Sequence, residues 1–195
     1  MAQAARDPYA GPMALGTEWG KPLTVEDVWR IPDDGHRYEL CDGVLLVSPA
    51  PRVLHQLASS RLFVPLFEAV QGTELVALYA PVDWKLDEHN LFQPDIIVVA
   101  AADLGELRLE DAPPLLAVEV LSPSTRVVDQ TLKRAKYEEA GVQHYWIVDP
   151  TRPSLNALEL DERGVYFERA VIEGDEVFET TNPVTVRIVP SKLLA

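Results

Sequence analysis

Apolar residues recur along the chain with two different periods, which predict where helices and strands lie. Between Val53 and Val70 they return at every third or fourth position, which is typical of an amphipathic helix. Pro65 is expected to kink this helix or to mark its last turns. A shorter helix is predicted from the capping residue Thr24 to about Trp29, and a third helix over 125–140.

Short runs of apolar, often β-branched residues predict the strands. The run at 115–121 is apolar on both faces except for one glutamate, so we expect it to lie centrally in a sheet. The Asp42-Gly43 pair predicts a tight hairpin turn. The full set of predicted strands is 37–40 and 44–47 around that turn, 75–86 interrupted at Pro81, 96–100, 115–121, 145–149 and hairpins within 156–189.

The order of these elements predicts a mixed α/β protein built around one sheet. The chain has 195 residues, enough for one domain with a sizeable core. Residues 1–20 carry no periodic pattern and are expected to form a flexible tail, with 21–195 as a single domain. No composition shift indicates a linker within that domain.

Composition narrows the function classes. Cys41 is the single cysteine, which excludes an intramolecular disulfide and a cysteine-based zinc site. No apolar run reaches the roughly 18 residues of a membrane helix, and the first residues lack a signal-peptide pattern, so a cytoplasmic location is expected. The net charge of −14 is unusual for a protein that binds nucleic acid.

Two carboxylates stand where an apolar strand is predicted. Asp95 opens one strand, and Glu119 lies inside another. If these strands are neighbours, the alternation of side chains lets both acids converge at one edge of the sheet. A divalent cation such as Mg²⁺ or Mn²⁺ would relieve their repulsion. The alternative is an ordinary ion pair for Glu119 and a turn role for Asp95.

The third predicted helix presents Asp129, Lys133 and Tyr137 at positions i, i+4 and i+8, on one face. If that face packs on the sheet, Lys133 can direct its ammonium group at the two carboxylates. The alternative is a solvated, charged helix face, because further charged residues occupy the same helix.

A set of short motifs, taken in order, resembles the Uma-two family of restriction endonucleases within the PD-(D/E)XK superfamily. The resemblance covers roughly 24–190 and implies a restriction-endonuclease-like fold, with a mixed central sheet flanked by helices and C-terminal β hairpins. The motifs that carry it are Tyr38-Glu39-Leu40, Asp42-Gly43, His55, Gln93-Pro94-Asp95-Ile96, Glu119-Val120-Leu121-Ser122-Pro123-Ser124, Lys133 with Tyr137, and the run from Gly141 to Pro150.

The resemblance also implies roles. Asp95 matches the Asp of the PD motif, and Glu119 the acidic residue of the second motif; both would bind Mg²⁺ or Mn²⁺. The carbonyl of Val120 would be a third ligand. The lysine of that motif falls at Leu121, which cannot perform its chemistry.

The missing lysine is expected on the following helix, at Lys133, with Lys136 as the second choice. Glu39 resembles the additional N-terminal acid of such nucleases, which would orient a water or a second metal; its alternative is a strand ion pair. His55 matches a family position, although a helical histidine can equally be structural.

The hypothesis is metal-dependent hydrolysis of phosphodiester bonds in nucleic acid, with DNA as the expected substrate. A homodimer would supply two sites for two strands, and the acidic composition leaves room for a protein partner that supplies DNA affinity. One alternative is a catalytically silent, nuclease-like protein-binding module. Another is a metal-independent hydrolase with paired carboxylates, which lacks the expected aromatic clustering. The basic residues predicted to border the site are Arg126, Lys133, Arg134 and Lys136, with Arg52 and Arg61 near the preceding helix.

Overall fold

The computed structural model describes residues 21–105, 109–110 and 112–194. The tail predicted for 1–20 lies outside the described residues. Within these ranges, every helix is too short or too polar to cross a membrane. Three helices are labelled: α1 (Val25–Trp29), α2 (Val53–Ala69) and α3, a continuous segment formed by Arg126–Val128, a π-helical turn Asp129–Lys133, and Arg134–Glu139.

The strands are short, and thirteen are present in the described residues. They are β1 (Arg37–Cys41), β2 (Val44–Ser48), β3 (Leu75–Tyr79), β4 (Trp84–Lys85), β5 (Leu91–Phe92), β6 (Ile96–Ala100), β7 (Leu109–Glu110), β8 (Leu116–Val120), β9 (His144–Asp149), β10 (Ser154–Leu160), β11 (Tyr166–Glu173), β12 (Phe178–Thr180) and β13 (Val186–Ile188).

A six-stranded mixed sheet forms the centre, in the order β11-β10-β9-β8-β6-β3. Strands β8 and β9 are parallel, whereas the other neighbours in this sheet are antiparallel. The parallel pair requires a crossover, and α3 provides it. The predicted central position of the strand that carries Glu119 is therefore confirmed.

The prediction of one sheet was wrong in one respect. The hairpin β1–β2 pairs with β5 instead of joining the central sheet, and with β4 and β7 it forms a separate five-stranded sheet. A third, two-stranded sheet holds β12 and β13. The second sheet could not be predicted, because it contains strands of only two residues, such as Trp84–Lys85 and Leu91–Phe92. Strands this short show no periodic pattern of apolar residues.

The two faces of the central sheet pack against different elements and form two separate hydrophobic layers. Ile96, Val98 and Val118 point to one side, where they pack with α2. Ile97 and Ala117 point to the other side, where they meet α3 and the second sheet. Glu119 has the parity of Ala117, so it points into this second layer. Glu119 and the groups around it therefore lie between the two sheets, next to α3.

Candidate active site

Asp95 and Glu119 face each other across neighbouring strands. Strands β6 and β8 pair with Ile96 opposite Val118, so one further residue places Asp95 opposite Glu119. The backbone N–H of Asp95 donates to the carbonyl of Val118 at 3.0 Å, and the N–H of Val120 donates to Asp95 Oδ2 at 2.8 Å. The two strands are neighbours, which is the condition under which the two acids were expected to converge.

Lys133 lies at the centre of the acidic cluster. Its Nζ is 2.9 Å from Glu119 Oε1, 2.9 Å from Glu39 Oε1 and 3.5 Å from Asp129 Oδ1. The side chain is only 3% exposed. The alternative of a solvated helix face does not apply to Lys133, because its ammonium group is buried against three carboxylates.

Glu39 enters the site from the second sheet. The side chain is buried, and its Oε1 accepts a hydrogen bond from the backbone N–H of Gln93 at 2.8 Å. Strand β1 alternates, with Glu39 and Cys41 facing the site layer while Leu40 faces away from it. The β1–β2 hairpin thus brings Glu39 to the central sheet. Glu39 and Gln93, which are joined by this hydrogen bond, are more than 50 residues apart in sequence.

Arg37 was missed by the sequence reasoning. Its guanidinium donates to Asp95 Oδ1 at 3.0 Å and also to the carbonyl of Gln93. Arg37 precedes Glu39 by two residues on the same strand, so the alternation that directs Glu39 inward also directs Arg37 inward. This alternation along β1 is the sequence pattern from which the inward direction of Arg37 could have been predicted.

His55 reaches the cluster from the first turn of α2. Its Nε2 lies 3.1 Å from Asp95 Oδ2, and the ring is buried. Ser59 lies one turn later, with its Oγ 3.4 Å from His55 Nδ1. His55 therefore contacts the carboxylate that the family pattern assigns to metal binding.

Two further side chains of α3, those of Tyr137 and Asp129, join the acidic cluster. The Tyr137 hydroxyl donates to Glu119 Oε1 at 2.8 Å. Asp129 is 1% exposed, and its Oδ1 accepts no hydrogen bond. Its position on the face of Lys133 and Tyr137 was predicted, but its membership of the acidic cluster was missed, because an α-helical pattern does not reveal a π-helical turn.

The charged groups of the cluster line one pocket of about 380 Å³. The pocket opens between the segment before α2 and the segment that follows β8. All of the site residues predicted from the sequence line it: Glu39, His55, Asp95, Glu119, Val120 and Lys133. The further lining residues are Arg37, Ser48, Pro49, Ala50, Pro51, Arg52, Ser122, Pro123, Ser124, Thr125 and Asp129.

The predicted basic border is only partly present. Arg52 lines the pocket and is exposed, as predicted. Arg126 instead pairs with Asp149 at 2.8 Å. Lys136, the second choice for the active lysine, lies outside the pocket lining and pairs with Asp42 at 2.7 Å. Arg61 lines a different pocket, at the far side of α2.

Charge in the pocket is unbalanced. The buried carboxylates of Glu39, Asp95, Glu119 and Asp129 outnumber by two the permanent cations that contact them, Lys133 and Arg37. The His55 ring also contacts Asp95, and Arg52 lines the pocket but is exposed to solvent. Burial in a low-dielectric interior makes such a surplus costly.

The pKa shifts follow from this imbalance. Burial raises the pKa of Glu119 well above its usual value, and Lys133 offsets only part of that rise because it is shared among several acids. Burial likewise raises the pKa of Asp129. Asp95 behaves oppositely. Burial would raise its pKa, but the hydrogen bond from His55, the charge interaction with His55 and the charge of Arg37 outweigh burial and lower the pKa.

The donor set fits a hard divalent cation. Carboxylate oxygens and a backbone carbonyl are the ligands that Mg²⁺ and Mn²⁺ prefer. The excess of buried carboxylates over the permanent cations that contact them, and an Asp129 Oδ1 that accepts no hydrogen bond, are what a divalent ion would compensate. Among the residues that the structure describes, no three His, Cys, Asp or Glu side chains already surround a common metal position. Arg37 and Lys133 occupy oxygens of the two predicted ligands, Asp95 and Glu119.

A pH dependence of stability follows from the raised pKa values. Folded Glu119 and Asp129 retain protons that the unfolded chain releases near about pH 4. In EDTA, the free energy of unfolding is therefore expected to fall as the pH rises from about 5 to about 8, and Mg²⁺ is expected to remove that decline. Thermal melts across this range measure it. Stability that rises with pH and ignores Mg²⁺ would contradict the assignment of charge.

The fold and the pocket define the class of protein. A solved structure described as "a putative nuclease belonging to DUF820", from Anabaena variabilis, matches with a TM-score of 0.72 at 18% sequence identity. The match covers 89% of this chain and 98% of that chain. At this identity the likeness shows the fold alone, and it confirms the predicted mixed α/β, nuclease-like architecture.

A model of the Uma2 family, described as "Putative restriction endonuclease", matches residues 25–188, and the chain belongs to this family. The resemblance seen in the sequence motifs is confirmed. A search of curated proteins found no match.

Proposed function

We propose that the protein is a metal-dependent endonuclease that hydrolyses phosphodiester bonds of nucleic acid, with DNA as the substrate. The observation that carries the proposal is the meeting of Asp95, Glu119 and Lys133 in one pocket, where buried carboxylates outnumber the permanent cations that contact them. Family membership supports nuclease chemistry. Residues 21–195 would form a single nuclease domain.

Asp95, Glu119 and the backbone carbonyl of Val120 would hold Mg²⁺ or Mn²⁺. The bound ion would polarise the phosphate and lower the pKa of a water molecule. Arg37 and His55 act on Asp95, one on each carboxylate oxygen, and so fix its orientation. We assign both as positioning residues, because the contacts that the structure shows for them at the cluster run through Asp95.

Lys133 has two tasks in this proposal. Its ammonium group would stabilise the negative charge that develops on the phosphate when the water oxygen attacks phosphorus. It also holds Glu39 and Glu119 in place through its two 2.9 Å contacts. Glu39 would orient the attacking water by accepting a hydrogen bond from it, and the water would lose its proton to Glu39 as its oxygen bonds to phosphorus. The P–O bond that breaks would leave an alkoxide oxygen that takes a proton from solvent.

We also propose an oligomeric state, a protein partner and a cellular location for the enzyme. A homodimer, with one pocket in each copy, is the proposed form, because it would present two cleavage sites to one nucleic-acid molecule. The net charge of −14 favours a protein partner that contributes DNA affinity. A cytoplasmic location would bring the protein to its substrate.

Cleavage assays test the proposal. Supercoiled plasmid and labelled single-stranded DNA are incubated at low salt with Mg²⁺ or Mn²⁺, and with EDTA as the control. The proposal predicts breaks in the metal samples and none in EDTA. Intact DNA under every condition, from a folded protein whose melting temperature ignores both metals, would contradict it and favour the catalytically silent binding module.

A further inference from the structure

The reacting groups lie deep inside a small pocket. The side chains of Asp95, Glu119 and Lys133 are 5%, 3% and 3% exposed. The pocket volume of about 380 Å³ is near the lower end of the roughly 300–1,000 Å³ typical of small-molecule sites. A nucleotide-sized segment fits such a space, whereas an intact duplex is far wider. A scissile phosphate must therefore leave the surface of a helix to reach the carboxylates.

The walls of the pocket resist opening. The segment before α2 carries Pro49 and Pro51, and the segment after β8 carries Pro123. Proline fixes its own φ angle and restricts the residue before it. Because rigid segments form both sides of the mouth, we expect the mouth to keep its width when substrate binds.

The mouth also lacks the charge that a duplex requires. Duplex binding rests on many phosphate contacts from Lys and Arg. Among the described residues that line this pocket, Arg52 is the one exposed cation. Arg126 and Lys136 nearby pair with Asp149 and Asp42.

The opposite wall offers hydroxyl groups instead of charge. The Ser122 hydroxyl lies 2.9 Å from the Ser124 hydroxyl and 3.0 Å from the Thr125 hydroxyl, and all three residues line the pocket. Hydroxyl groups bind phosphate oxygens without reading base sequence. Arg52 and this wall together suit the backbone of one strand passing between them.

From this geometry we infer that the substrate is single-stranded: a free strand, a tail or an unpaired segment threads between Arg52 and the hydroxyl wall, and paired duplex is excluded. The inference rests on the proposed function and specifies its substrate class. It predicts that cuts in a partly paired molecule fall in the unpaired part.

Matched oligonucleotides of one sequence test this inference. Initial cleavage rates with Mn²⁺ are compared for the free strand, the blunt duplex and a duplex with a single-stranded tail. We expect the free strand and the tail to be cut at least about tenfold faster than the blunt duplex. Equal or faster cutting of the blunt duplex overturns the inference alone. No cutting of any of the three overturns the proposed function, and the inference falls with it.

Binding gives a second readout. Glu119→Gln, which is expected to be cleavage-deficient, is titrated with the labelled free strand and the blunt duplex in Mg²⁺, with fluorescence anisotropy as the signal. The free strand is expected to bind at least about fivefold more tightly, and Arg52→Ala in the same background is expected to remove most of that difference. Arg163→Ala is the matched control, because Arg163 is exposed and pairs with Asp161 in a distant turn. Tighter binding of the duplex, or equal effects of the two arginine variants, contradicts the inference.

Discussion

Lys133→Met is expected to abolish cleavage and to lower the free energy of unfolding by about 3–5 kcal/mol at neutral pH, the usual cost of removing one partner from a buried ion pair. The physical reason is that Lys133 is the shared cation of Glu39, Glu119 and Asp129, all of them buried. Denaturant unfolding and cleavage of single-stranded DNA measure the two effects.

Lys136→Met is the matched control for this variant. Lys136 lies on the same helix, but it pairs at the surface with Asp42 and Glu139, and exposed pairs contribute only about 0–1 kcal/mol. Near-normal stability and cleavage are expected. If Lys136→Met loses cleavage while Lys133→Met retains it, the assignment of the active lysine is wrong.

Glu119→Gln is expected to lower the cleavage rate and to raise the stability of the metal-free protein. Cleavage should fall by a factor of about 10³, the upper end of what one electrostatic group contributes to an enzyme. In EDTA the melting temperature should rise, because burial raises the pKa of Glu119 and an amide replaces one of the buried carboxylates that outnumber the cations. The amide oxygen can still accept hydrogen bonds from Tyr137 and Lys133.

Glu168→Gln is the control here, since Glu168 is an exposed strand residue that contacts Asn156. It should change neither cleavage nor melting temperature. A Glu119→Gln protein that cuts at the normal rate would remove Glu119 from the reaction, and a lower melting temperature in EDTA would contradict the charge imbalance.

Much of this site could be predicted from strand parity. Asp95 and Glu119 were expected to converge if their strands were neighbours, and the strands are neighbours. The spacing of Lys133 and Tyr137 placed both on one helix face, and both contact Glu119. Period-2 and helical patterns suffice for such local geometry, because burial of one face fixes the direction of each side chain.

Other parts of the site depend on contacts that sequence patterns do not reveal. The pairing of β1 with β5 brings Arg37 and Glu39 to the central sheet, but β5 has only two residues and therefore no visible period. The π-helical turn that buries Asp129 depends on packing between the sheets, because an ordinary α-helix has the same local propensities. The pairing of Arg126 with Asp149 likewise became visible only in the fold.

The central claim is that the acidic pocket binds a divalent cation through Asp95 and Glu119. Calorimetric titration of Mn²⁺ into the EDTA-treated, desalted protein tests it most directly, with Asp95→Asn and Glu119→Gln beside the wild type and Glu168→Gln as the control. We predict saturable binding to the wild type and to Glu168→Gln, and weakening by at least about tenfold in the two pocket variants, in line with the loss of groups that support a metal site. Absence of binding to the wild type, or equal binding to all four proteins, would contradict the claim.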